Sequence, residues 1–175
     1  MQNILDISQD TTAFPWAKRT PWHGLRAIPA VGLALVLGRL VGHPSAGAIA
    51  AGSAFTVGFA AFHEALASTL LSMALVTLGI ASGTLAGSLG AGWTAVVLVL
   101  VLVASINYGL LAELGPTSSW IGQQCAVFVV VASYFPQGVH YAVGRTEMVL
   151  AGGALQMLFY VGFHFSGRGS AQRPR

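Results

Sequence analysis

Six apolar stretches, at residues 25–41, 45–62, 66–89, 93–114, 118–135 and 148–165, follow one another with only short breaks, and few charged residues fall inside them. Each is long enough for a helix crossing a hydrocarbon core, which takes roughly 17 to 25 residues. In lipid the backbone must satisfy its own hydrogen bonds, so only helices or closed barrels cross. Barrel strands alternate apolar with polar side chains, and these stretches are uniformly apolar. Several breaks carry turn chemistry: Gly42-His43-Pro44, Gly90-Ala91-Gly92 and Gly115-Pro116-Thr117. Charged residues make up 7% of the chain, against about 25% in an ordinary soluble domain. With 55% hydrophobic residues, such a chain cannot cover itself with charge, and its outer surface is expected to face lipid. The sequence predicts an all-α polytopic integral membrane protein with six transmembrane helices in a compact bundle. That domain, residues 25–165, lies between an N-terminal segment, 1–24, and a tail, 166–175.

The third stretch carries Gly79, Gly83 and Gly87. A glycine at every fourth position leaves one helical face without side chains. Helix association in lipid gains little from hydrophobicity, and close backbone approach at such faces is a main route to specificity. These glycines are expected to be packing positions on a central helix. The same face suits a homodimer or a membrane partner subunit.

Orientation follows from the basic residues. Lys18, Arg19 and Arg26 precede or open the first stretch, while Arg168, Arg173 and Arg175 follow the last, so six of the eight lie near the termini. The positive-inside tendency then places both termini in the cytoplasm of a multi-pass cell (inner) membrane protein. Arg39 and Arg145 are exceptions at the outer side. Phe14-Pro15-Trp16-Ala17-Lys18-Arg19 mixes rings with basic residues, which suits the headgroup layer, and the N-terminal segment has no apolar core of signal-peptide type. The net charge of +3 forms no basic stripe, which argues against nucleic acid.

Polar groups inside the crossings are the place to look for chemistry. Counting rise along antiparallel helices brings Asn107, Gln123 and Gln124 to one depth, about 8 to 11 Å from the inner boundary. Thr56 and Ser72 reach a similar depth, with Tyr108 and Gln156 nearby, and Arg26 stands near the inner mouth. Two readings of this layer stay open: a solute path lined by amides and hydroxyls, or hydrogen bonds that merely join helices. His63-Glu64 begins like a zinc-protease motif, but Ala67 stands where the second histidine belongs. No nucleophile with a base, carboxylate pair or phosphate-binding loop occurs at useful spacing, so neither an enzyme nor a cofactor or metal is expected. Cys125 stands alone in an apolar segment.

Leu25-Arg26-Ala27-Ile28-Pro29-Ala30 opens the first stretch, and Ala46-Gly47-Ala48-Ile49-Ala50-Ala51-Gly52 lies in the second. The third contains Gly83-Thr84-Leu85-Ala86-Gly87 and the sixth Val149-Leu150-Ala151-Gly152-Gly153. Over about residues 25–165 these resemble the membrane half of the fusaric acid resistance protein-like (FUSC), or aromatic acid exporter, family. Ile80-Ala81-Ser82 stands where family members typically carry a basic residue. The resemblance implies efflux of small aromatic or other organic acids across the lipid bilayer, with a small organic anion as solute. A non-transporting module packed against a partner is the alternative.

Overall fold

The computed structural model describes residues 27–60, 66–135 and 138–171. Within them the protein is all-helical, without strands: α1 (Ile28–Leu40), α2 (Pro44–Gly58), α3 (Leu66–Gly90), α4 (Thr94–Ala112), α5 (Pro116–Ser133) and α6 (Gly138–Ala171). The N-terminal segment 1–24, Arg26 and the His63-Glu64 pair lie outside the described residues.

Three helices are long and apolar enough to cross a membrane: α3, α4 and the Gly138–Phe165 part of α6. The expectation of six such helices is corrected by the other three. α1 has 13 residues and α2 has 15, which at 1.5 Å per residue is about 20 Å, short of a core about 30 Å thick. α5 has the length, at 18 residues, but Thr117, Ser118, Ser119, Gln123 and Gln124 dilute its apolar character. The sixth helix also differs, beginning at Gly138, ten residues before the sixth apolar stretch, and continuing through Ala171 into the expected tail. Local bonding explains the early start. Arg145 donates from Nη1 to the Phe135 carbonyl at 3.0 Å and lies 4.7 Å from the centre of the Phe135 ring, so its charge closes the α5–α6 corner. Thr146 bonds the Ala142 carbonyl one turn back, and Ala142 is fully buried.

The helices form a row. α1 lies against α2, α2 against α6, α6 against α3, α3 against α5, and α5 against α4. Half of the apolar window of α3 is buried, compared with 6% for α4, so α3 is central and α4 peripheral. Leu98, Leu102, Ile106 and Leu110 stand exposed along one face of α4. Together with exposed Leu71, Leu78 and Val131 on neighbouring helices, they make an apolar exterior of the kind that associates with a membrane.

Backbone proximity joins the row. A Cβ built on Gly79 would lie 3.3 Å from Ile121, one on Gly83 2.5 Å from the Cys125 carbonyl, and one on Gly87 would strike the Val129 carbonyl. The glycine face of α3 is therefore filled by α5 of the same chain, not left free for a second copy. On α6, Gly152 meets the Ala50 carbonyl of α2 while Gly153 meets Thr77 of α3. Consecutive glycines thus serve two neighbours, one on each side. Gly38 and Gly47 bring α1 onto α2. Ser53 adds a buried bond from Oγ to the Val149 carbonyl, 2.7 Å long, between α2 and α6.

The α1–α2 turn is a Schellman closure: His43 N–H bonds Gly38 C=O and Gly42 N–H bonds Arg39 C=O, with Gly42 at φ +80°. Pro44 then opens α2 where no intrahelical N–H is needed. Gly83→Ala is expected to lower stability by about 1–3 kcal/mol through overpacking against backbone, whereas Gly32→Ala, with open space around the position, leaves it unchanged or slightly raised. Thermal unfolding of both variants in one detergent measures the contrast.

Candidate functional site

Depth and rotation separate among the expected solute-path residues. A Cβ on Gly122 of α5 would lie 2.9 Å from the Tyr108 Cα of α4, so Asn107 and Gln123, each next in sequence to one of that pair, share a level. Both side chains are exposed. They lie on the surface of the chain, not in the helical interior that a path through one bundle requires. Gln124, on the other side of α5, is buried, and so is Ser72. Ser72 donates to the Ser68 carbonyl at 2.9 Å and half-buried Thr56 to the Gly52 carbonyl at 2.7 Å, each one turn back on its own helix. Arg26 lies outside the described residues. The five described residues are not gathered into one place.

A different set of polar groups lies in the interior. Among the described residues, Thr84 Oγ1, Ser88 Oγ and Gln156 Oε1 are buried without a hydrogen-bond partner. Burying an unpartnered polar group costs about 1–3 kcal/mol, so each is a departure from ordinary packing. Gln156 is 2% exposed, on α6. A Cβ on Gly58 would lie 3.2 Å from its Nε2 and 2.8 Å from the Ala27 Cβ, which puts the amide where α1, α2 and α6 meet.

One and two turns further along α6 stand Tyr160 and His164, extending the same face. Tyr160 is buried with Val57, Ala60 and Met73. The His164 ring stacks near that of Tyr160, with centroids 6.5 Å apart, and its Nε2 is buried without a hydrogen-bond partner. Ser88, at the far end of α3, borders a surface cleft of about 240 Å³ that Trp93 and Gly138 also line.

The chemistry available is hydrogen bonding in a medium of low polarity. Among the described residues no charged side chain is buried and no cluster of His, Cys, Asp or Glu is placed to hold a metal. Of the interior set, only Gln156 drew attention in the sequence, as a neighbour of the polar layer. Thr84 was visible as the polar member of Gly83-Thr84-Leu85-Ala86-Gly87, but hydroxyls in membrane helices usually bond back to their own backbone, as Thr77 does to Met73 at 2.8 Å. Nothing in the sequence distinguishes the one that does not.

Compared with protein-family models, curated proteins and solved structures, the chain matches none.

Replacing the amide by a thioether of similar size removes the unpartnered oxygen. Gln156→Met is therefore expected to keep or raise thermal stability, by about 1 kcal/mol, given the usual cost of an unsatisfied buried acceptor. A loss of more than about 2 kcal/mol in thermal unfolding would instead mark the amide as a structural hydrogen-bonding group.

Proposed function

We propose that this protein is a small FUSC-like inner-membrane transporter that exports small aromatic or other organic acids. The observation that carries the reading is the buried amide of Gln156, whose oxygen has no hydrogen-bond partner in the bundle interior. A carboxylic acid in its protonated form is complementary to an amide: the acid O–H donates to Oε1 while the amide N–H donates to the acid carbonyl. A carboxylate offers no such donor and calls for a buried cation, and none is found among the described residues. Tyr160, Met73 and Val57 form an apolar packed cluster on that side of the bundle, a surrounding compatible with an aromatic body. The bundle lies in the membrane with both termini cytoplasmic, as the terminal clustering of basic residues supports. Its short α1 and α2 are accommodated by local thinning of the bilayer.

A non-transporting module is the second reading, and one observation favours it. Asn107 and Gln123 stand exposed at one level of the α4–α5 surface, where a partner subunit or a second copy would satisfy two amides otherwise facing lipid.

Uptake of radiolabelled benzoate into inside-out vesicles separates the two. With the vesicle interior made alkaline, so that a protonated acid gives up its proton on entry and is held as the anion, vesicles carrying the protein are expected to accumulate benzoate at least ten-fold faster than empty ones. Gln156→Met should reduce the rate to background at equal protein content, and Asn107→Leu and Gln123→Leu should leave it unchanged. Parent vesicles no faster than empty ones would favour the module. Loss of flux in the Asn107 and Gln123 variants but not in Gln156→Met would move the path to the α4–α5 surface.

A further inference from the structure

The two halves of the chain share a framework displaced by 72 residues. Leu40 and Ala112 end α1 and α4, and Pro44 and Pro116 open α2 and α5, each pair 72 apart. The packing repeats in step. α1 on α2 corresponds to α4 on α5, and α2 on α6 to α5 on α3, while the α3–α6 contact maps onto itself.

Register agrees as well. The Gly79–Ile121 contact of α3 with α5 becomes Ala151–Ile49 when each residue is moved to the other half. That is the observed Gly152–Ala50 register, one residue along both helices. Ile49 and Ile121 are equivalent, identical and packed against the same core cluster. Val57 and Val129 are equivalent, identical and buried.

We infer that the protein is an inverted repeat, residues 28–90 and 94–171, whose halves exchange their third helices, and that Thr84–Ser88 and Gln156–Tyr160 are equivalent half-sites facing opposite sides of the membrane. Three helices per half reverse the orientation of the second copy, so the pseudo-two-fold axis lies in the membrane plane. Thr84 maps onto Gln156 and Ser88 onto Tyr160, and all four are buried. Three of the four carry an unpartnered polar atom: Thr84 Oγ1, Ser88 Oγ and Gln156 Oε1.

The axis passes near the equivalent pair Gly79 and Ala151. Each half-site begins five residues further along its helix, about 7 to 8 Å from the axis at 1.5 Å per residue. Between them, fully buried Ile80 and Val149 and the Thr77–Gly153 contact close the middle. A hydrogen-bonding solute therefore passes from one half-site to the other only when the halves rock against each other, as in alternating access. The inversion does not rest on the transport reading; the use of the half-sites to carry a solute does.

Labelling with a membrane-impermeant maleimide tests the inversion and the half-sites without a transport assay. In the full chain with Cys125→Ala as background, Ser88→Cys and Gln156→Cys are labelled separately in right-side-out and inside-out vesicles. Each is expected to react at least ten-fold faster from one side, and the favoured sides to be opposite. Reaction of both from the same side overturns the inversion. Reaction of both equally from both sides overturns the closed middle. No reaction at either, in protein that unfolds thermally like the background, overturns the half-sites. Epitope tags in the α1–α2 and α4–α5 turns read the inversion should a cysteine variant fail to fold: opposite sides support it and the same side overturns it. Opposite-sided labelling without benzoate flux leaves the repeat standing and removes only the acid-export reading.

Discussion

Close approach of α3 to α5 is the contact on which the rest of the bundle depends. Apolar side chains gain little from meeting one another in lipid, so helices hold together where backbones come near enough for dense van der Waals contact and for weak C–H to carbonyl bonds. Gly83 brings α3 onto the Cys125 carbonyl, and the same geometry recurs one turn earlier and one turn later. With α5 fixed on one side, the opposite side of α3 receives α6 through Gly153, and α6 then receives α2 through Gly152. α1 and α4 attach last, each mainly to one partner. Removal of the central contact would leave the two ends of the row without a common support.

Much of this was legible in the residues, for identifiable reasons. Glycines at period four mark a face because nothing else about a helix in lipid needs them at that spacing, and the partner turned out to be in the same chain. Pro44 and Pro116 open helices where the sequence has breaks, since proline suits a first helical turn and no other. The shared level of Asn107 and Gln123 was legible too: Tyr108 does lie against Gly122, because rise per residue is fixed by helix geometry. Rotation was not. Whether Asn107 faces inward depends on where the partner helix sits, and α4 touches mainly α5, leaving that amide exposed.

The misplaced start of α6 has a similar origin. His140, Arg145 and Glu147 look like a polar connection when read as composition, but Arg145 closes the corner by reaching back to the Phe135 carbonyl. A polar residue at the beginning of a helix can be a fastening, not a break. The inferred repeat was hidden for a different reason. Packing in this fold asks for small or branched residues at given positions, not for particular ones, so equivalent sites drift from Gly79 to Ala151 and from Thr84 to Gln156. Only a few identities, such as Ile49 with Ile121, survive at equivalent positions.

The order of packing along the row has a consequence for biogenesis. α2 leans chiefly on α1 and α6, and α6 is the last of the six to be synthesised. α2 is therefore made before the partner that fills its packing surface, and α3 before α5, which covers its glycine face. At about 5–20 residues per second, the helices made early wait several seconds with backbone-deep grooves open. The row is consequently completed only when α6 fits between α2 and α3, after the other five helices have been made.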